Sequence, residues 1–169
     1  MGPNDHGLRP CDDTDFAAIA RIINAAAHVY GGVIPAECWH QPYMPLAELQ
    51  QEIVAGVRFT GAVRDGVLVG VMGVQPVRDV RLIRHAYVLP EWQGHGIGSQ
   101  LIESVRGTDD RRVLIGTWRA AHWAIRFYQR HGFDPVPDAA IAPLLRTYWT
   151  VPERQILASI VLSSPAHGM

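Results

Sequence analysis

Lysine is absent from this 169-residue chain, and all 15 of its lysine-plus-arginine residues are arginine. Mononucleotide P-loops end in Gly-Lys-Ser/Thr, so the absence of lysine excludes that kind of phosphate site. Cysteine is scarce as well, because Cys11 and Cys38 are too few for a disulfide framework and lack the spacing of metal ligands. These absences favour a reduced, cytoplasmic protein.

Long apolar runs and an excess of one charge are also absent. No stretch approaches the roughly 20 consecutive apolar residues of a membrane span, and the first ten residues lack the apolar core of a signal peptide. The 16 acidic and 15 basic residues nearly cancel, which leaves no electrostatic footprint for nucleic acid. We therefore expect a single domain over residues 1–169, with a small-molecule partner and no membrane or nucleic-acid partner.

The spacing of apolar residues predicts an α/β architecture. After an extended start at 7–10, helices are predicted over residues 12–28, 46–56, 97–107 and 120–131. Strands are predicted over residues 57–64, 67–74, 82–89, 112–118, 141–149 and 155–162. Asp12 with Asp15 suits a capped helix entry, and Asp65-Gly66 suits a tight hairpin turn. This order of elements predicts a mixed sheet covered by helices.

A glycine-rich turn from Gln93 to Gly98 joins the third predicted strand to a helix. Its glycines at positions 94, 96 and 98 let the backbone approach a ligand closely. The free N–H groups and the positive dipole end of the following helix suit a phosphate. A dinucleotide motif counted from Gly94 needs glycine where this chain has Ser99, which argues against that site. The glycines alone also fit a helix entry without a ligand.

Two motifs around this turn carry a family resemblance. The pattern Gln93-x-x-Gly96-x-Gly98 is followed about thirty residues later by a second motif that runs from Ala124 to Phe133. In this order and spacing, the chain resembles the GNAT superfamily of N-acetyltransferases over about residues 7–162. The resemblance implies the GNAT-like acyl-CoA N-acyltransferase fold, with a mostly antiparallel central sheet flanked by about four helices. The chain departs from the family at Ala121, where an asparagine often contacts the cofactor arm.

The resemblance also implies an activity and a cofactor site. It implies that acetyl-CoA donates an acetyl group directly to the primary amine of a small molecule, such as an amino acid. Val88 would pair its backbone with the pantetheine arm and polarise the thioester carbonyl through its N–H. Tyr128 matches the family's acid, which faces the sulfur. The residues that would hold the pyrophosphate are Gln93, Gly94, His95, Gly96, Ile97, Gly98 and Ser99.

A base is also required, because an amine with pKa about 10.4 is neutral in only about one part in a thousand near pH 7. No glutamate lies on the strand that ends at Val88. His85, three residues earlier, is the preferred candidate because imidazole titrates near neutral pH. The alternative is a hydrogen-bonded histidine with a structural role. The remaining histidines lack a metal-binding spacing such as H-E-x-x-H, so no metal is expected.

The substrate and the partner are less constrained. Arg81 and Arg84 could meet a substrate carboxylate. Two alternative functions stay open: a non-catalytic acyl-CoA sensor or interaction domain, and a protein N-terminal or lysine acetyltransferase. The terminal strand at 155–162 is compatible with a homodimer. Six residues are placed near the amine, with packing between loop and sheet as the alternative: Tyr30, Trp39, His40, Tyr43, Tyr87 and Trp118.

Overall fold

The computed structural model describes residues 6–106 and 109–165. Within these ranges the chain forms two compact units. The first unit comprises residues 6–29, 41–75, 84–106 and 109, and the second comprises residues 30–40, 76–83 and 110–165. The single domain expected over residues 1–169 stays a prediction.

The described residues contain seven strands and six α-helices. The strands are β1 (His6–Pro10), β2 (Arg58–Arg64), β3 (Val67–Val77), β4 (Val80–Val88), β5 (Arg112–Trp118), β6 (Asp134–Pro135) and β7 (Ser159–Ser163). The helices are α1 (Phe16–Ala27), α2 (Leu46–Val54), α3 (Ile97–Val105), α4 (His122–Arg130), α5 (Asp138–Tyr148) and α6 (Glu153–Leu157). Residue Gly107, the predicted end of the third helix, lies outside the described residues.

The strands form a mixed sheet in the order β1-β2-β3-β4-β5-β7-β6. The pairs β1/β2, β2/β3, β5/β7 and β6/β7 are antiparallel. The pair β4/β5 is parallel, with Val80 opposite Arg112 and Ile83 opposite Ile115. A parallel pair requires a long crossover connection, and α3 lies in the segment between these two strands. The predicted α/β class with a mostly antiparallel mixed sheet is confirmed.

In the first unit, the predicted helix entry at Asp12 is a capping box. The Asp12 side chain accepts from the Thr14 N–H at 2.9 Å, and Asp15 accepts from the Asp12 N–H at 2.9 Å. Arg9 binds both oxygens of Asp15, at 2.8 and 2.9 Å, and so ties β1 to this entry. The capped residues form a 3-10 turn, so α1 itself begins only at Phe16.

The predicted hairpin is present between β2 and β3. Asp65 and Gly66 both have positive φ, at 52° and 75°, as a tight turn of this kind requires. Arg64 pairs with Val67, and the register shifts between Ala62 and Val63. The apolar residues of both strands are largely buried, which places the core of the first unit against this hairpin.

In the second unit, the strand predicted at 141–149 is wrong, because residues 141–148 lie in α5. Ile141 and Leu145 are four residues apart and are both buried, so one helical face supplies their packing. Pro143 lies inside this helix, and the Thr147 hydroxyl donates to the Pro143 carbonyl at 2.7 Å. Helical burial of the two apolar residues outweighs the local cost of the proline.

The strand predicted at 155–162 is wrong in its first half. Pro152 precedes α6, which ends at Leu157, and β7 then begins at Ser159. All five residues of β7 are buried, and the strand pairs with β5 on one side and with β6 on the other. The backbone edge that suggested a homodimer is therefore used within the chain. The homodimer itself stays a prediction.

Candidate active site

The glycine-rich turn of the first unit lies between β4 and α3. A 3-10 turn over Pro90–Trp92 follows the end of β4, and Gly94 and Gly96 then take φ values of 82° and 77°. Side-chain-bearing residues rarely adopt this left-handed conformation, so both positions favour glycine. Gly96 is the N-cap of α3, and its carbonyl accepts from the Gln100 N–H at 3.1 Å. First-turn N–H groups of a helix have no partner within the helix, so they can bind an anion.

Side-chain hydrogen bonds and ring packing within this segment stabilise the turn. Gln93 donates through Nε2 to the Val88 carbonyl at 3.1 Å. The ring of His95 packs 5.5 Å from that of Trp92, and its Nδ1 lies 3.0 Å from the Trp92 carbonyl. Ile97 is buried and anchors the start of α3, whereas Gly98 and Ser99 are partly exposed in its first turn. The predicted pyrophosphate residues therefore occupy the glycine-rich turn and the first turn of α3.

Gly70 on β3 allows close packing beneath this turn. A Cβ at Gly70 would lie 3.1 Å from Ile97 and 3.3 Å from Val88. The absence of a side chain at Gly70 therefore lets α3 pack closely on the sheet. The sequence reasoning missed this residue, although a glycine inside a strand often marks a close approach of another element.

Tyr128 of the second unit lies on α4, where it is buried. Its ring lies 5.3 Å from that of Phe127 and 6.4 Å from that of Phe133, both in edge-on arrangements. Burial raises the pKa of Tyr128 well above its usual value, and Tyr30 raises it further. The phenol is therefore neutral across the physiological range and still carries its proton.

Aromatic residues of the second unit gather around Tyr30. The buried rings of Tyr30 and Trp118 meet edge-on at 6.5 Å. Trp123 stacks on Tyr30 at 6.1 Å and is 39% exposed, and the sequence reasoning missed it. In the same unit Trp39 is half-buried and His40 is exposed, and in the first unit Tyr43 and Tyr87 are half-buried.

A partly buried polar cluster surrounds His85 in the first unit. His85 Nε2 is hydrogen-bonded to Glu52 Oε2, and Arg84 binds Glu52 Oε1 at 2.9 Å. Arg84 also donates to Gln75 at 3.1 Å, and the His85 ring stacks at 6.4 Å on Phe59. Arg84, which could have met a substrate carboxylate, instead binds a carboxylate of its own chain.

Glu52 is the residue of this cluster that sequence reasoning missed. Burial raises the pKa of Glu52, but the hydrogen bond from His85 and the charges of His85 and Arg84 outweigh it, so the pKa lies below its ordinary value. The carboxyl group is therefore ionised. A signal was present in the sequence, since Glu52 lies three residues after the buried Leu49 on the same side of α2.

Metal and membrane features can be stated for the described ranges. Residues 6–106 and 109–165 contain no group of three or more His, Cys, Asp or Glu side chains that could hold a metal ion. Within the same ranges, no helix is both long enough and apolar enough to span a bilayer.

Comparison with known proteins identifies the family. The acetyltransferase (GNAT) domain model matches residues 52–135, a stretch that contains β4, the glycine-rich turn and Tyr128. The chain is a member of the GNAT acetyltransferase family. No curated protein matches it in sequence.

Solved structures show the same fold. PaiA N-acetyltransferase from Thermoplasma acidophilum, in complex with coenzyme A, is 16% identical with a TM-score of 0.70, over 94% of this chain and 97% of that one. An acetyltransferase from Streptococcus agalactiae is 14% identical with a TM-score of 0.70, over 95% and 98%. One from Thermus thermophilus is 18% identical with a TM-score of 0.68, over 98% and 99%. At these identities the likeness defines the fold, which is that of GNAT acetyltransferases.

Proposed function

We propose that the protein transfers the acetyl group of acetyl-CoA to the primary amine of a small molecule. The observation that carries this proposal is the turn of Gly94 and Gly96 at the start of α3, inside the region that matches the GNAT model. Its geometry suits a pyrophosphate, and coenzyme A contains one. Coenzyme A is bound in the PaiA structure, which supports the same class of carrier for this chain.

The turn has room for this carrier. A Cβ added at Gly94 or at Gly96 would meet no atom within 4 Å, so the chain leaves the outer side of both residues open. We assign the pyrophosphate to the backbone N–H groups from Gly94 to Ser99, because the Gln93 N–H already donates to the Pro90 carbonyl at 3.3 Å. When bound, acetyl-CoA supplies an acetyl thioester, and the residues of the chain supply binding and proton transfer.

Tyr128 is assigned the role of general acid. Its burial keeps the phenol protonated, so the hydroxyl has a proton to give when the thiolate departs. In this step a C–N bond to the amine forms and the C–S bond of the thioester breaks, the O–H bond of Tyr128 breaks and an S–H bond forms. The attacking nitrogen then loses its extra proton to solvent, and solvent returns a proton to the phenolate. A general acid in the correct place contributes roughly 10²–10⁴ in rate.

His85 is assigned the role of general base for the amine. A primary amine with pKa about 10.4 is almost wholly protonated near pH 7, and attack on a thioester requires its lone pair. His85 would take that proton. Trp123 of the second unit is 39% exposed and offers a ring to an apolar or aromatic group, whereas Tyr30 and Trp118 are buried.

The test is release of free thiol from acetyl-CoA in the presence of a panel of small amines and lysine peptides. We expect Tyr128→Phe to lower kcat by roughly 10²–10⁴-fold while the Kd for CoA is unchanged. Tyr148→Phe is the matched control, because it removes a hydroxyl that binds Asp79 at 2.7 Å on the surface. If CoA binds but no amine releases thiol, the protein is a non-catalytic binding domain and the proposal fails.

A further inference from the structure

We propose that Glu52 is the positioning residue for His85, holding its imidazole in the Nε2–H tautomer so that Nδ1 is the nitrogen that accepts the proton of the amine. This inference rests on the proposed function and extends it to a residue outside the family motifs. It starts from the geometry of the polar cluster, in which Glu52 meets His85 through Oε2 and Arg84 through Oε1.

The tautomer follows from the ionisation of Glu52. An ionised carboxylate has lone pairs but no hydrogen, so it can only accept a hydrogen bond. The partner atom, Nε2 of His85, must therefore be the donor. A neutral imidazole carries one N–H, so with Nε2 protonated the lone pair lies on Nδ1.

Neighbouring groups hold Glu52 itself in place. Arg84 binds its Oε1, and Gln75 accepts from Arg84 through Oε1 while donating through Nε2 to the Ala55 carbonyl at 3.1 Å. The side chains of Glu52, Arg84 and His85 are only 13%, 18% and 15% exposed. Burial strengthens electrostatic interactions between such groups because little water screens them.

The backbone conformation of His85 is consistent with a residue that its neighbours hold in place. Its φ of 58° is left-handed, although the residue lies inside β4. A non-glycine residue in this region costs energy, and such strain persists only where the surrounding contacts determine the conformation. Glu52 on one side and the stacked ring of Phe59 supply those contacts.

The proton balance of the step is simple. An N–H bond of the substrate ammonium breaks, an N–H bond forms at Nδ1, and the electron pair stays on the amine. The resulting imidazolium keeps its Nε2–H bond to Glu52, whose negative charge offsets the new positive charge. Solvent takes the Nδ1 proton after the product leaves. Within residues 6–106 and 109–165, ion pairs join this imidazole to Glu52 and, through Glu52, to Arg84.

Nitrogen-15 NMR of the substrate-free protein reads the tautomer directly. His85→Asn assigns the signal, because asparagine tolerates left-handed backbone and lacks the ring. At alkaline pH, where imidazole is neutral, we expect the Nε2–H form in the wild type and a loss of that preference in Glu52→Gln. A wild-type His85 in the Nδ1–H form would overturn the inference.

Kinetics then test the positioning role. We expect His85→Asn to lower kcat by roughly 10²–10⁴-fold, and Glu52→Gln to lower it by a part of that factor, at least about 10-fold. Glu52→Gln should add no further loss in the His85→Asn background, as for residues that act as one unit.

Asp15→Asn is the matched control. It also removes a carboxylate that binds an arginine in the first unit, since among the described residues Asp15 is bonded to Arg9 and to the Asp12 N–H. We expect it to lower Tm and leave kcat unchanged. Full activity in Glu52→Gln overturns the inference, and full activity in His85→Asn also overturns the assignment of His85 as base, while acetyl transfer to an amine still stands in both cases. An inactive wild type overturns the proposed function, while the NMR tautomer still decides the arrangement of Glu52 and His85.

Discussion

Replacing Gly96 by alanine tests two roles of the glycine-rich turn separately, its contribution to stability and its contribution to ligand binding. At φ 77° the substitution adds strain, but its Cβ would meet no atom within 4 Å and so adds no clash. A side chain in left-handed backbone costs roughly 1–2 kcal/mol. For a chain of this length each kcal/mol lowers Tm by about 2–4 °C, so we expect a fall of about 2–8 °C.

The effect on coenzyme A should be larger. The new methyl group would enter the open side of the turn, where the proposed pyrophosphate meets backbone N–H groups. A hydrogen bond to a charged group contributes about 1.5–3 kcal/mol, so the loss of one corresponds to about a 10- to 150-fold increase in the Kd. Acetylpantetheine lacks the pyrophosphate, and the turnover of this shorter donor should change much less.

Isothermal titration with CoA and a thermal melt measure the two effects. Gly66→Ala is the matched control, because Gly66 has nearly the same φ, 75°, in the exposed β2/β3 hairpin turn. It should lower Tm by a similar amount and leave the Kd for CoA unchanged. If Gly96→Ala binds CoA as the wild type does, or if both variants lose affinity equally, the turn is not the pyrophosphate site.

Three further predictions concern the first unit. The hydrogen bonds from Arg9 hold the pKa of Asp15 below its ordinary value. The ionised Asp15 therefore stabilises the fold above about pH 4, and this contribution is lost as the pH falls through the lowered pKa. Asp15→Asn lacks this contribution, so its acid unfolding should begin at a higher pH. Burial raises the pKa of Cys11 to about 11, so iodoacetamide should label it far more slowly than a free thiol at neutral pH, and rapid labelling would contradict this. A Cβ at Gly73 would lie 2.7 Å from the Arg84 carbonyl, so Gly73→Ala should lower the free energy of unfolding in urea by roughly 1–3 kcal/mol, and an unchanged midpoint would refute the clash.

The sequence was enough to predict those elements that one local pattern defines, such as the helical spacing of apolar residues or a glycine-rich turn. The buried face of α3 consists of Ile97, Leu101, Ile102 and Val105, as their helical spacing predicts. The glycine-rich turn was also predictable, because positive φ leaves a direct mark on residue type. In α5 the local signal was misleading, since Pro143 argues against a helix that tertiary packing nonetheless stabilises.

The polar cluster could not be predicted in the same way. Glu52 and His85 are 33 positions apart in the chain, and their contact exists only after α2 and β4 have folded against each other. The sequence supports imidazole as a candidate base at position 85, because residue type and distance to the strand end are local properties. Helical spacing places Glu52 on the buried side of α2, but no local property of the sequence pairs it with His85.

The left-handed backbone at position 85 also limits how this site can change during evolution. Glycine, asparagine, aspartate and histidine are the residue types that this conformation tolerates most readily, whereas β-branched residues are disfavoured. Of these, glycine and asparagine cannot accept a proton near neutral pH, and aspartate would face the like charge of Glu52. Of these four residue types, histidine is the one that fits the backbone conformation, the neighbouring carboxylate and the proposed proton transfer. Substitution at position 85 is therefore limited by the left-handed backbone conformation as well as by the proposed activity.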